Sequence, residues 1–177
     1  TQGMVVCAHP EASQVGVDIL KKGGNAVDAA IAVQLALAVV YQRAGNLGGG
    51  GFMVYRGQDG EISTLDYREK APLASDKDMY LDSAGNVIQD LSTKGHLAVG
   101  VPGSVAGHFA AHKKYGKLPF KDLINPSIEL AKNGFYLTQH EADAINNFQE
   151  DITRLNTSPN VFMKDTPWEM GDKIIQN

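Results

Sequence analysis

Arg68 has the most definite chemistry in the chain. In the run Asp66-Tyr67-Arg68-Glu69-Lys70-Ala71-Pro72 it falls at the end of an expected strand, where a guanidinium can grip a carboxylate through two parallel hydrogen bonds. From residue type alone a local ion pair with Asp66 or Glu69 is the expected reading, since most arginines are structural or solvated. A second feature is Gly45-Asn46-Leu47-Gly48-Gly49-Gly50-Gly51, because backbone N–H groups at such glycines can bind anions. Its order argues against a phosphate loop, which runs strand, glycines, helix and ends in Gly-Lys-Ser or Gly-Lys-Thr. Here a helix precedes the glycines, a strand follows them, and that lysine is missing. Gly48, Gly49, Gly50 and Gly51 are better suited to letting two backbones, or a backbone and a substrate, approach where any side chain would collide. His108 and His112 are spaced i, i+4 on an expected helix. Phe109, Ala110 and Ala111 lie between them, without the glutamate of a zinc-peptidase helix, so a surface or core pair is expected and no metal site. Thr1 would be a nucleophile if the terminus is natural, its own amine serving as base. Cys7 is the sole cysteine; it can form neither an internal disulfide nor a multi-cysteine metal site, and leaves the redox compartment undecided.

The elements that position these residues follow from hydrophobic period and caps. Val5, Val6 and Cys7 suggest a short strand. Pro10 suits a first helical position, Val15, Ile19 and Leu20 recur at helical spacing, and Gly23 and Gly24 end that helix. Asn25 with Asp28 resembles a capping box for a helix over 26–40, which is apolar nearly all round and should be central. Strands are expected over 52–56 and 62–67, joined through Asp59-Gly60 as an antiparallel hairpin. Residues 73–100 read as irregular. Further helices are expected over 104–115, 126–133 and 139–155, the last on the strength of Thr138 with Glu141 as a capping box and of Ile145, Phe148, Ile152 and Leu155 on one face.

Composition sets the limits. At 177 residues the chain is one domain or a large piece of one, and no linker or repeat divides it. A hydrophobic share of 43% allows an ordinary core, so the chain should fold. Its net charge of −4, with no basic stripe, argues against nucleic acid as a partner. The greasiest stretch, 29–40, carries Gln34 and falls short of the ~20 apolar residues of a membrane span, so a soluble protein is expected. The opening Thr1-Gln2-Gly3-Met4 has neither initiator methionine nor signal-peptide layout and reads as a processed or excised chain. The fold is expected to continue past Asn177.

Four ordered blocks carry a family resemblance: Gly23-Gly24-Asn25-Ala26-Val27-Asp28-Ala29-Ala30; Ala44-Gly45-Asn46-Leu47 through Gly51-Phe52; Asp66 through Pro72; and Gly100-Val101-Pro102-Gly103-Ser104-Val105-Ala106-Gly107. In order and spacing the chain resembles the gamma-glutamyltransferase family over its whole length. It departs at Tyr41-Gln42, where relatives often carry His-Pro.

The resemblance implies an α+β fold, part of the αββα sandwich of N-terminal-nucleophile hydrolases. It implies that residues 1–177 are the N-terminal portion of the large subunit of a self-cleaving precursor. The catalytic threonine would then begin the small subunit, the partner of this chain, and Thr1 would play no part. Arg68 matches the family arginine that binds the α-carboxylate of a γ-glutamyl substrate such as glutathione. Glu69 would support Arg68, and Gly48, Gly49, Gly50 and Gly51 would form a backbone-only wall near the centre. The implied reaction is transfer of the glutamyl group to water or an amino acid through an acyl-threonine, with no metal or organic cofactor. Export to the periplasm or cell exterior is implied by the resemblance alone. Three alternatives stay open: a same-fold acylase acting on cephalosporin side chains or poly-γ-glutamate, an inactive paralogue acting as a binding protein, and a nucleotide-binding module.

Overall fold

His9 opens the first helix. Its backbone is extended, and its Nδ1 accepts the N–H of Glu11 at 3.3 Å, which satisfies one of the donors a helix leaves free at its start. In the computed structural model, which describes residues 3–45 and 47–176, helix α1 then runs Pro10–Lys21. Thr1, Gln2, Asn46 and Asn177 lie outside the described residues, and with them the question of Thr1 as a nucleophile. The Gly24 N–H bonds Ile19 O and the Gly23 N–H bonds Leu20 O, both at 3.0 Å, with Gly23 at a φ of 90°. That double bond pattern is the Schellman ending, and it requires the positive φ that glycine supplies.

Helix α2 (Ala26–Val40) begins at the expected capping box: Asn25 Oδ1 accepts from Val27 and Asp28 N–H, and Asp28 Oδ2 accepts from Asn25 N–H, each at 3.0 Å. Asp28 does more than cap. Fully buried, it also accepts the N–H of Lys117 at 3.0 Å and of Leu118 at 3.2 Å, pinning the turn after a helix some ninety residues away in sequence. The segment 25–28 is thus a structural anchor, and α2 is buried on most sides, as its all-round apolarity predicts.

The remaining elements are β1 (Phe52–Arg56), β2 (Ile62–Asp66), α3 (Ser104–Tyr115), α4 (Phe120–Asn133), β3 (Phe135–Tyr136), α5 (Gln139–Asn147), α6 (Gln149–Leu155) and β4 (Lys173–Ile174). The fold class is α+β, with β1–β2 and β3–β4 both antiparallel pairs. Residues divide into two compact units, Thr1–Asn46 with His108–Asn177, and Leu47–Gly107. In the first, Ala12, Val33, Leu37, Phe135, Ile145 and Trp168 belong to one apolar core, and a bond of 3.0 Å between His9 Nε2 and Glu141 Oε1 joins the start of α1 to the start of α5. In the second, the β1–β2 hairpin is followed by turns: Asp82 Oδ1 accepts from Ala84 and Asn86 N–H, and residues 73–100 hold no regular element beyond a short turn of 3₁₀ helix at His96–Ala98. Among the described residues no helix is long and apolar enough to cross a membrane.

Three expectations need correction, and one element was not expected. Val5, Val6 and Cys7 form no strand; they are a lead-in to the cap, with the Cys7 thiol on His9 O at 3.2 Å and on Ser13 Oγ at 3.0 Å. Helix α4 starts at Phe120, six residues before Pro126, because Leu123 and Ser127 already face the interior and the ring tolerates the helical φ at the cost of one bond. The expected 139–155 helix is two, interrupted at Phe148 with φ −108° and ψ 3°. Just before the break the Asn146 side chain exchanges two 2.8 Å bonds with the Trp168 backbone, and Phe148 itself stays largely exposed. The β3–β4 pair was not foreseen; with two residues per strand it leaves no period to read.

Candidate functional site

Strand β2 delivers Arg68. Its pairing with β1 runs from Ile62 opposite Arg56 to Asp66 opposite Phe52, and two further bonds join Tyr67 to Gly51. Three residues later Lys70 exchanges bonds with Val101, at 3.2 and 2.8 Å. Arg68 and Glu69 therefore occupy the short passage in which the chain leaves one neighbour and joins another. The turn is held by Asp66 Oδ1, which accepts the N–H of Arg68 at 2.9 Å.

Glycines press on every residue of this passage. A Cβ at Gly50 would lie 2.5 Å from Glu69 Oε2 and 2.7 Å from the Arg68 carbonyl carbon; at Gly51, 2.7 Å from the Tyr67 ring; at Gly103, 2.8 Å from the Tyr67 carbonyl carbon; at Gly100, 3.2 Å from Lys70 O. Gly49 completes the frame, its carbonyl accepting the N–H of Gly103 at 2.9 Å and of Ser104 at 3.0 Å, so the glycine run is tied to the start of α3. Close approach in the glycine run is made at Gly50, to the backbone of Arg68 and Glu69, and at Gly51, to the Tyr67 ring. Gly48 is an exposed residue in the bend that precedes them. Neither the need for Gly103 nor the Tyr67 contacts were foreseen, although Gly100, Gly103 and Gly107 stand at visible intervals in the sequence.

The Arg68 side chain is 66% exposed, and among the described residues its guanidinium meets one carboxylate, Glu69, with Nε 3.8 Å from Oε1. That is a loose, solvated pair of small energetic value, leaving the planar fork able to take another carboxylate. Arg68, Glu69 and Lys70 line a cavity of about 440 Å³ with Ser75, Asp76 and Tyr80. Tyr80 is fixed there by its hydroxyl, which donates to Leu97 O at 3.0 Å. Burial pushes the Tyr67 phenol above its ordinary value, so it stays protonated at neutral pH.

The other candidates separate from this site. His112 Nε2 lies 2.7 Å from Leu118 O and its ring stands edge-on to Phe120, which makes it part of the packing at the end of α3. His108 is buried, and burial pushes its pKa below the ordinary value. Among the described residues no group of three or more His, Cys, Asp or Glu side chains could hold a metal. A larger cavity of about 500 Å³, lined by Tyr41, Arg43, His140, Phe148 and Phe162 among others, contains none of the residues singled out for chemistry.

The sequence model of the gamma-glutamyltranspeptidase family matches residues 12–177. A glutathione hydrolase proenzyme from Pseudomonas sp. (strain A14) is 51% identical over 98% of this chain, and one from Escherichia coli (strain K12) is 45% identical over 99% of it. The chain spans 31% and 30% of those two relatives' lengths. The crystal structure of Helicobacter pylori gamma-glutamyltranspeptidase superimposes with a TM-score of 0.95 at 45% identity, covering 99% of this chain and 51% of that one. The fold is accordingly a part of the N-terminal-nucleophile hydrolase sandwich. With the family's pattern running from residue 12 onward and the backbone following a solved member almost throughout, the chain belongs to the gamma-glutamyltranspeptidase family.

Proposed function

We propose that this chain is the N-terminal portion of the large subunit of a glutathione hydrolase, in which Arg68 holds the α-carboxylate of the γ-glutamyl group. The observation that carries the proposal is the guanidinium itself: two-thirds exposed, loosely paired, and projecting from a backbone passage that glycines hold in place. A fixed fork discriminates for a free carboxylate and, by fixing that end of the substrate, sets the γ-carbonyl in line for attack. The nucleophile is a threonine hydroxyl supplied by the small subunit of the same precursor. It displaces the amine of the γ-glutamyl amide to form an ester, from which water or an amino acid then removes the glutamyl group. Glu69 supports Arg68, and Gly50 and Gly51 form the backbone wall beside it. The exposed Phe52, Val54 and Ile62 on the hairpin fit a partial sheet that further strands complete, since a lone hairpin is of marginal stability. Export of the complete enzyme to the periplasm or cell exterior belongs to this reading on the strength of the resemblance alone.

The test is Arg68→Lys in the full-length polypeptide, with γ-glutamyl-p-nitroanilide as donor. Lysine keeps the charge and loses the fork, so KM should rise by roughly tenfold or more while kcat changes less. Unchanged kinetics would remove Arg68 from the site. A full-length protein that neither cleaves itself nor turns over the donor would instead favour an inactive paralogue acting as a binding protein.

A further inference from the structure

We infer that Tyr67 is a positioning residue for Arg68: its ring, seated between Gly51 and Gly107, sets the direction of the guanidinium and so the enzyme's selectivity for a free α-carboxylate. The inference rests on the role proposed for Arg68 and adds the part that aims it.

Tyr67 and Arg68 are consecutive in the passage that follows β2, so whatever fixes the backbone at Tyr67 also fixes where Arg68 starts. The Tyr67 ring is bracketed along its length. A Cβ at Gly107, in the first turn of α3, would lie 2.5 Å from Cδ2 and 2.6 Å from Cβ of Tyr67. One at Gly51 would lie 2.7 Å from Cε2 and 2.9 Å from Cζ. Such distances are far inside van der Waals contact, so any side chain at either glycine must displace the ring. The brackets are tied to each other through the bonds from Gly103 and Ser104 to Gly49 O, and to Tyr67 itself through its bonds with Gly51. Among the described residues, the Arg68 side chain has one ion-pair partner, Glu69, at 3.8 Å. Its aim is therefore a property of the backbone, which is held at this point by the seat of Tyr67 together with the 2.9 Å bond from the Arg68 N–H to Asp66 Oδ1.

The experiment uses the full-length polypeptide and two donors, γ-glutamyl-p-nitroanilide and its analogue with an α-carboxamide in place of the α-carboxylate. The quantity read is the ratio of their kcat/KM values, which a change in the amount of folded enzyme does not move. Tyr67→Val empties the seat and Gly107→Ala evicts the ring; each should lower the ratio by on the order of tenfold, since displacements of about 1 Å can cost up to ~100-fold, with KM for the carboxylate donor affected more than kcat. Tyr67→Phe keeps the ring and should stay within about threefold of the parent ratio. An Arg68→Lys arm separates the two claims. A ratio lowered by Arg68→Lys and untouched by Tyr67→Val would overturn the positioning role alone, whereas a ratio untouched by Arg68→Lys would overturn both. If Gly107→Ala yields no processed enzyme, Tyr67→Val decides, because it leaves a void and no clash.

Discussion

Replacing Asp28 by alanine removes one carboxyl group and strands three backbone donors. Asp28 is 0% exposed and accepts the N–H groups of Asn25, Lys117 and Leu118 at 3.0 to 3.2 Å. An unsatisfied buried donor costs about 1–3 kcal/mol, so three set an upper bound near 9 kcal/mol; water entering the vacated space lowers the expected loss to about 3–5 kcal/mol. An ordinary lost N-cap costs only about 1 kcal/mol. Asp28→Asn keeps the shape, but its amide hydrogens must face one of those donors, and about 2–3 kcal/mol should be lost. Urea unfolding followed by Trp168 fluorescence is the assay. Trp168 is the only tryptophan and is buried in the unit that holds α2, so its signal reports the relevant transition. Should Asp28→Ala lose no more than about 1 kcal/mol, Asp28 would be a plain helix cap and the turn at 117–118 would be held by something else. If the alanine variant does not fold, the asparagine variant carries the same test.

Two further predictions concern the same unit. Glu141→Gln weakens the 3.0 Å bond to His9 and disturbs the 2.8 Å bonds that the carboxylate accepts from Thr138 N–H and Oγ1; a loss of about 1–3 kcal/mol is expected by the same fluorescence assay, and one below about 0.5 would mean that the link between α1 and α5 adds nothing. Burial holds the His108 pKa below its ordinary value, so stability should be fully present above about pH 6.5 and fall as pH drops from there toward the lower folded value, where the unfolded chain takes up a proton that the folded chain does not. His108→Gln should flatten that part of the stability–pH profile, and an unchanged slope would remove His108 as its source.

Much of the fold was legible where a local signal and the tertiary demand agree. The capping boxes at Asn25–Asp28 and Thr138–Glu141 and the glycine ending of α1 each satisfy helix-end groups within a few residues of sequence, so composition and spacing suffice to place them. The hairpin was legible for the same reason, its turn being closed by Gly60 at a φ of 86° and by Asp59 Oδ1 on the Glu61 N–H. The failures fall where distant groups intervene. Nothing near residue 148 announces that Asn146 will be claimed by Trp168, and the apolar spacing of Ile145, Phe148 and Ile152 continues across the break. Arg68 was singled out through the resemblance, which could not show how it is held.

By itself, then, the sequence determined most of the helices, the hairpin and the family, because each is written in residues that interact at short range or in blocks whose order is visible. Only the tertiary structure decided that Asp28 reaches the turn at Lys117 and Leu118, and that Gly50, Gly51, Gly100, Gly103 and Gly107 close on the passage from Tyr67 to Lys70. Those are contacts between stretches far apart along the chain. A glycine in sequence states only that a side chain is missing, and what occupies the space it leaves is settled when the backbone is folded.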